Sequence, residues 1–464
     1  MAEPAAQAPE LQRTLKRRHM TMISLGGVIG AGLFVGSGAV INQTGPAAVV
    51  SYALAGLLIV LVMRMLGEMA VARPANGSFA EYARSAIGDW AGFATGWLYW
   101  YFWAIVLAIE AVAGAEILQR WIDAPMWLMA LVLMAALTAT NLFSVKSFGE
   151  FEFWFASIKV AAIIVFIAIA LGFVLGIGGG DSPGLANLTE NEGFAPSGVT
   201  TVLAGVVIVI FAFVGAEIVT IAAAESGEPE RNVSKAVHSV VVRVLTFYVA
   251  AILLVVLIVP WDKTVVGESP FIAALDRIGI PGSADVMNAV VLTAVLSCLN
   301  SGLYTGSRML FALARRGDAP QGLLDVNARG VPVKAIFLTT SIGFASVIFA
   351  ALSPDTVFLF LVNSSGAIAL VVYLLIAISQ LRMRRVLERE DPERLKLKMW
   401  FYPWLTYASI VAIVVIIGSM ALVEDVRSQL IPSAISVVVV LGAYWLKTRR
   451  AASPGVPRTA QGAV

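Results

Sequence analysis

Long apolar runs, each closed by charges, prolines or glycines, follow one another along all 464 residues of this chain. A helix that crosses a bilayer needs about 20 predominantly apolar residues, because the hydrocarbon core is roughly 30 Å thick and each residue rises about 1.5 Å. Runs of that length lie near 20–42, 47–70, 90–118, 124–143, 151–177, 197–223, 237–260, 285–314, 333–351, 355–381, 402–422 and 429–447. They predict an all-α integral membrane protein with twelve transmembrane helices. Gly45-Pro46, Pro125, the run from Gly178 through Pro183, Pro260 and Pro281 fall between these runs, where a chain leaving a helix places them.

Composition narrows the class further. Hydrophobic residues make up 59% of the chain and charged ones 13%, whereas soluble domains carry about 25% charged residues. A soluble chain so apolar has no means of covering its surface with water-compatible groups. The net charge of +2 supplies no basic mass for nucleic acid. Two histidines, His19 and His238, and one cysteine, Cys298, leave no material for a zinc site or a disulfide framework, so neither a metal nor a cofactor is expected. Residues 1–19 are polar, with Arg13, Lys16, Arg17 and Arg18 and no apolar core or cleavage pattern, and read as a cytoplasmic tail.

Basic residues orient the helices. With the N-terminus inside, the outer loops hold only Arg120, Lys263, Arg277 and Arg427 of the 32 lysines and arginines, and Arg64, Lys159 and Arg243 lie within spans. All the others fall on the inner side, and an even number of spans returns the C-terminal tail, 448–464, to the cytoplasm. The segment 382–398, with Arg382, Arg384 and Arg385, reads as a solvated cytoplasmic turn.

Two spans carry interruptions. The first contains Gly26-Gly27-Val28-Ile29-Gly30-Ala31-Gly32-Leu33-Phe34. Its glycines weaken a helix, each by about 1 kcal/mol relative to alanine. Close helix packing is one explanation, since Gly26/Gly30 and Gly32/Gly36 fit the small-xxx-small spacing. The other is an unwound segment, tolerated at that depth only where it lines a cavity or is buried in protein. The sixth span offers a counterpart in Phe211-Ala212-Phe213-Val214-Gly215-Ala216-Glu217. Paired interruptions in corresponding helices point to a transporter with inverted repeats and a site at the membrane midplane. The repeats would be helices 1–5 over 20–178 and helices 6–10 over 197–381, followed by a cytoplasmic loop, 382–401, and two additional helices over 402–447.

Ionisable residues within spans are costly and usually functional. Glu68, Arg64, Arg308 and Glu116 lie near span ends, where snorkelling or a local ion pair suffices. Lys159 lies deeper. Apolar burial disfavours a charged amine, so Lys159 either loads and releases a proton each cycle or stays charged against backbone carbonyls. Glu217 follows the second interruption and serves as a proton carrier or as a brace for the broken helix. Glu110, mid-span beside Trp103 and Leu107, meets another buried charge or a substrate ammonium. The aromatic run Trp97 to Trp103 reads as an interfacial belt, with one or two members facing a cavity. Cys298 reads as a packed thiol.

The chain resembles the amino acid permeases of the amino acid–polyamine–organocation superfamily, and among them the bacterial GABA (4-aminobutyrate) permeases, from about Leu15 to Trp445. The shared blocks are Gly27 to Phe34, Met63 to Val71 and Gly77 to Ala83. More particular are Gly96 to Trp103, Val145 to Trp154, Val214 to Ser226, Ser297 to Leu310 and Ser364 to Leu370. The resemblance implies a LeuT-like fold in a bacterial inner membrane, with substrate held between the two breaks by Val28, Ile29, Gly30, Ala31, Gly32, Phe211, Ala212 and Val214. Backbone amides around Ala31 and Gly32 would take a carboxylate, and carbonyls of Val28, Phe211 and Val214 an ammonium. Phe211 falls at a gating position, Lys159 matches the helix-5 lysine of proton-coupled relatives, with Ser297, Asn300 and Ser301 of helix 8 as its partners, and Glu217 matches the helix-6 acid. Unpaired amides and positive partial charge at a helix N-terminus suit the first placement. GABA carries its ammonium too far from its carboxylate to bind as an α-amino group would, and Glu110 is the residue placed to receive it.

These features imply a symporter for GABA and a proton, its partners being a small amino acid, the proton and the lipid bilayer. A permease for proline or β-alanine and an amino acid exchanger remain open. A channel would need a continuous polar pore, and a membrane enzyme a nucleophile–base or metal constellation that this chain does not contain. The short tails leave no signalling domain for a nutrient sensor. No interface motif stands apart from ordinary packing motifs, so the pattern specifies no oligomeric state.

Overall fold

A computed structural model describes residues 18–19, 22, 28–75, 77–143, 145–177, 182–222, 229–265, 268–352, 354–422 and 424–452. Most of both tails, the glycines Gly26 and Gly27, and Gly178 to Asp181 lie outside these residues. Among the described residues all regular structure is helical, with no strand. That outcome follows from the apolar runs, because a lipid-embedded backbone must satisfy its amides and carbonyls internally.

The helices that organise the molecule are α1 (Ala31–Phe34), α2 (Gly36–Thr44), α3 (Ala48–Ala72), α4 (Ser78–Ala86), α5 (Asp89–Leu118), α6 (Met126–Phe143) and α7 (Val145–Val174). They continue with α8 (Gly198–Phe213), α9 (Ile218–Ala222), α10 (Pro229–Arg243), α11 (Ala251–Ile258), α12 (Pro270–Ile278) and α13 (Ser283–Arg315). The last four are α14 (Val333–Leu352), α15 (Pro354–Glu390), α16 (Trp404–Ser419) and α17 (Glu424–Ala452).

Nine helical runs among the described residues are long and apolar enough to cross a membrane, and Val333–Ile348 and Trp404–Ser419 are apolar but shorter. The first two predicted spans appear as one continuous run, Ala31–Ala72, because the link between them, Gly45–Ala47, is itself a 3₁₀ turn. Gly45 makes that turn possible: its φ is 65°, and a Cβ there would stand 2.5 Å from Cδ of Pro196.

Burial sorts the helices into centre and rim. In the apolar window of Gly198–Ile221, 83% of residues are buried, against 6% in Leu430–Arg450. The first lies at the centre of the bundle, while α17 shows Ile435, Val438 and Val439 to the surroundings. A wide apolar surface of this kind faces lipid in a chain that crosses the bilayer.

The segment 382–401 differs from the solvated turn expected of it. To Glu390 it is the last part of α15, and beyond that Leu395, Leu397 and Met399 are buried. Arg384 is buried as well and donates to Glu68 of α3 at 2.6 Å, while Gln380 donates to the other oxygen of Glu68 at 2.9 Å. A carboxylate already buried in α3 recruits the arginine, and the loop folds down over the pair.

Candidate functional site

Both interruptions seen in the sequence are breaks in the fold. Val28, Ile29 and Gly30 are non-helical, and Gly30 is extended (φ −132°, ψ −157°) before α1 begins at Ala31. At the second, α8 stops at Phe213, Val214 turns out of helical conformation (ψ 137°) and Gly215 has φ 111°. That φ is open to glycine at no steric cost. The chain regains helix at Ile218. The breaks meet: a Cβ on Gly32 would stand 2.8 Å from Cα of Ala212, so absence of a side chain at Gly32 lets α1 cross α8 at backbone contact.

Between them lies a cavity lined by Val28, Gly30, Gly32, Phe211, Ala212, Val214 and Glu110, together with Phe102, Trp103, Val106 and Cys298. Its accessible volume is about 10 Å³, room for about one water molecule. A larger cleft of about 720 Å³ runs between α5 and α17, walled by Phe93, Trp97, Val439 and Val440. It shares no lining residue with the cavity at the breaks and lies against the lipid-facing helix, so it is not the site that the breaks form.

The start of α1 leaves amides without intrahelical partners. The amide of Ala31 donates to Oε2 of Glu110 at 3.4 Å, and the Cys298 thiol is hydrogen-bonded to the same carboxyl group. Glu110 thus lies on the amide that the family resemblance reserves for a substrate carboxylate. On the facing break, the Phe211 carbonyl accepts from the Val214 amide at 3.3 Å, and the Ala212 carbonyl from the Tyr248 hydroxyl at 3.1 Å.

Lys159 is fully buried and sits behind the first break. Helical side chains lean toward the N-terminus of their helix, which brings its Nζ to the Ile29 carbonyl at 2.8 Å and to Oγ of Ser297 in α13 at 2.7 Å. Ile29 therefore contributes through its carbonyl to Lys159 and does not line the cavity. Ser297 in turn donates to Oε1 of Glu152 at 2.8 Å. Of the other helix-8 partners, Asn300 accepts from Asn141 of α6 at 2.8 Å.

Glu217 braces the second break. Its Oε1 accepts from the Gly215 amide at 3.2 Å and from the Tyr99 hydroxyl at 2.8 Å, and its Oε2 from the Tyr373 hydroxyl at 3.2 Å. The aromatic run of α5 is divided by helical periodicity. Tyr99, Phe102 and Trp103 point into the bundle, whereas Trp97 and Trp100 lie on the cleft toward α17. The polar residues that span arithmetic alone passed over are Glu152, Tyr248 and Tyr373, while Tyr99 entered only as a member of the aromatic run. For Glu152 a signal exists: it precedes Lys159 by seven residues, two helical turns, and so shares its face of α7, whereas the neighbouring Glu150 does not.

The comparisons with known proteins agree with this architecture. The profile described as "Amino acid permease" matches residues 19–453. The chain is 56% identical to the gamma-aminobutyric acid permease of Bacillus subtilis (strain 168), over 96% of this chain and 95% of that protein. It is 47% identical to the probable GABA permease of Pseudomonas aeruginosa, over 96% and 95% of the two chains. It is 46% identical to the gamma-aminobutyric acid permease of Escherichia coli (strain K12), over 96% and 97%. A multi-pass helical bundle with two broken helices around one buried site, matched by the family profile over nearly its whole length, belongs to a transporter and not an enzyme: the chain is a member of the amino acid permease family.

Proposed function

We propose that this protein imports 4-aminobutyrate together with a proton, by alternating access, across the cytoplasmic membrane of a bacterium. Both termini lie in the cytoplasm, and twelve helices form a LeuT-like inverted repeat, 20–178 and 197–381, with two additional helices. The substrate assignment is supported by identities of 46% to 56% with relatives named for GABA, each over 96% of this chain. The coupling assignment is carried by one observation, the bond from Lys159 Nζ to the Ile29 carbonyl at 2.8 Å. A titratable group thereby holds the unwound backbone whose next residues form the substrate site.

The charged ammonium pins the break against α7 and α13. A neutral amine donates more weakly, since hydrogen bonds from ionised donors are roughly twice as strong as neutral ones, and the segment before Ala31 is then released to move. Substrate binding uses the same break. The ammonium of GABA draws Glu110 off the Ala31 amide, and the freed amide, at a helix N-terminus, takes the carboxylate. The present cavity is too small for GABA, so Phe211, Trp103 and the breaks part to admit it.

The test is uptake of labelled GABA into proteoliposomes under an inward proton gradient, with and without external sodium, with unlabelled proline and β-alanine as competitors and Lys159→Ala alongside. Uptake that follows the proton gradient, ignores sodium and collapses in Lys159→Ala is the expected result. A sodium requirement, or uptake only into vesicles preloaded with amino acid, would overturn the coupling. Proline outcompeting GABA would overturn the substrate.

A further inference from the structure

Glu152 is a fully buried carboxyl in the interior of α7, and the cycle described above gives it no task. Burying a carboxylate costs several kcal/mol unless it is well partnered. Here one oxygen, Oε1, accepts the Ser297 hydroxyl at 2.8 Å. The other, Oε2, is buried with no hydrogen-bond partner among the described residues. Ser297 is at the same time the acceptor for Lys159 Nζ at 2.7 Å. The donors thus run in one direction, from Lys159 to Ser297 to Glu152.

The surroundings continue the line. Asn300 Nδ2, Ser301 Oγ and Thr305 Oγ1 on α13 are buried and unpartnered among the described residues. They follow Ser297 on one face at helical spacing. Phe148, one turn before Glu152, stacks on Tyr304 with ring centroids 4.0 Å apart, which sets this stretch of α13 level with the N-terminal part of α7. Arg308 stands beyond, its guanidinium 4.1 Å over the Tyr304 ring. In the orientation set by lysine and arginine, this is the direction of the cytoplasm.

We propose that Glu152 is a second proton carrier, which takes the Lys159 proton through the Ser297 hydroxyl and releases it toward the cytoplasmic end of α7 along the polar face of α13. Lys159 gives one ammonium proton to Ser297 Oγ while the Ser297 hydroxyl proton passes to Glu152 Oε1. The ammonium and carboxylate become an amine and a carboxylic acid, Ser297 is regenerated, and net charge is unchanged. The proton then leaves from the carboxyl group by way of the Ser301 and Thr305 hydroxyls of α13, which both accept and donate. The charged and titratable groups around this step are Lys159 and Glu150 on the same helix, Cys298, Tyr304 and Arg308 on α13, and Glu110 on α5. Glu150 itself is turned to Arg18 and His19. This inference rests on the proton-coupled reading of Lys159.

The experiment compares gradient-driven net uptake of labelled GABA with GABA counterflow in proteoliposomes, for the wild type, Glu152→Gln, Glu152→Asp and Ser297→Ala. Net uptake must discharge the proton inside, while counterflow returns the carrier still loaded. Glu152→Gln is expected to lower net uptake by about a hundredfold, the scale on which a positioned proton-transfer group acts, and counterflow far less, with Glu152→Asp recovering part of the loss. Equal net uptake by Glu152→Gln and wild type would overturn the relay. If Glu152→Gln loses both activities, Ser297→Ala decides. Selective loss of net uptake in Ser297→Ala upholds the relay, and undiminished net uptake reduces Glu152 to a structural counter-ion. A wild type without gradient-driven uptake would overturn proton coupling itself, and is told apart by failing before any variant is compared.

Discussion

Gly30 and Gly32 lie two residues apart in the first break and answer to different neighbours. A Cβ at Gly32 would meet Ala212 backbone at 2.8 Å, whereas one at Gly30 would meet Glu110 Oε1 at 2.8 Å and Cys298 Cβ at 2.9 Å. Backbone in a packed core does not yield, and the Cβ of Cys298, fixed to α13, yields little, while a glutamate tip moves aside. Gly32→Ala is therefore expected to cost about 1–3 kcal/mol, as overpacking does, and to lower both the melting temperature in detergent and GABA uptake. Gly30→Ala is expected to lower the melting temperature as well, through Cys298, and in addition to weaken GABA binding by displacing Glu110. A wild-type melting temperature for Gly32→Ala would contradict the close crossing at Ala212. Glu110→Gln tests the same corner from the other side. Loss of its charge is expected to weaken GABA affinity about tenfold, or about 1.4 kcal/mol, and unchanged affinity in a binding assay would remove Glu110 from the ammonium site.

At the scale of elements, α15 and α3 are joined by a charge pair inside the protein. Glu68 and Arg384 are both buried, and Glu68 also accepts from Gln380 and from the Met399 amide. Removing one partner of a buried pair leaves the other uncompensated, at a cost of about 3–5 kcal/mol. Arg384 keeps a second carboxylate in Glu388 at 2.8 Å and the ring of Tyr402, which places Glu68→Ala at the low end, about 3 kcal/mol. Thermal unfolding in detergent is expected to show that loss for Glu68→Ala and a smaller one for Glu388→Ala, whose side chain is half exposed. The reverse order would mean that the exposed pair, and not the buried one, holds the loop down.

Across the whole molecule, distant stretches of chain converge on the second break. Tyr99 of α5 and Tyr373 of α15 both donate to Glu217, tying both proposed repeats to the point where α8 ends. Each hydrogen bond contributes about 1 kcal/mol. Tyr99→Phe and Tyr373→Phe are each expected to lower stability by about that amount. The double variant is expected to lose more than the sum, because Glu217 then keeps only the Gly215 amide among these donors. A strictly additive double-mutant cycle would show that the two hydroxyls do not act on a shared group. The same convergence accompanies the closed cavity: Glu217, Glu110 and Lys159 are each bound to backbone at a break, and in the proposed cycle the breaks part when substrate or proton competes for those groups.

The apolar runs were enough to establish a helical membrane protein and to locate its long apolar helices, though not α4 and α12, which lie between the runs, because a span needs length and apolarity and both are local properties of the chain. Glycines placed the two breaks for the same reason, since backbone freedom belongs to the residue itself. Lys159, Glu110 and Glu217 stood out as charges where lipid tolerates none. Their partners did not. That Ser297 joins Lys159 to Glu152, that Glu110 lies on the Ala31 amide, and that Tyr99 and Tyr373 share Glu217 all depend on helices packed side by side after long separations in sequence. So does the burial of Arg384, which composition assigns to solvent and which Glu68 draws inside. Hydrophobicity and periodicity say which face of a helix turns inward, but the identity of the group it meets there is decided only when the helices pack.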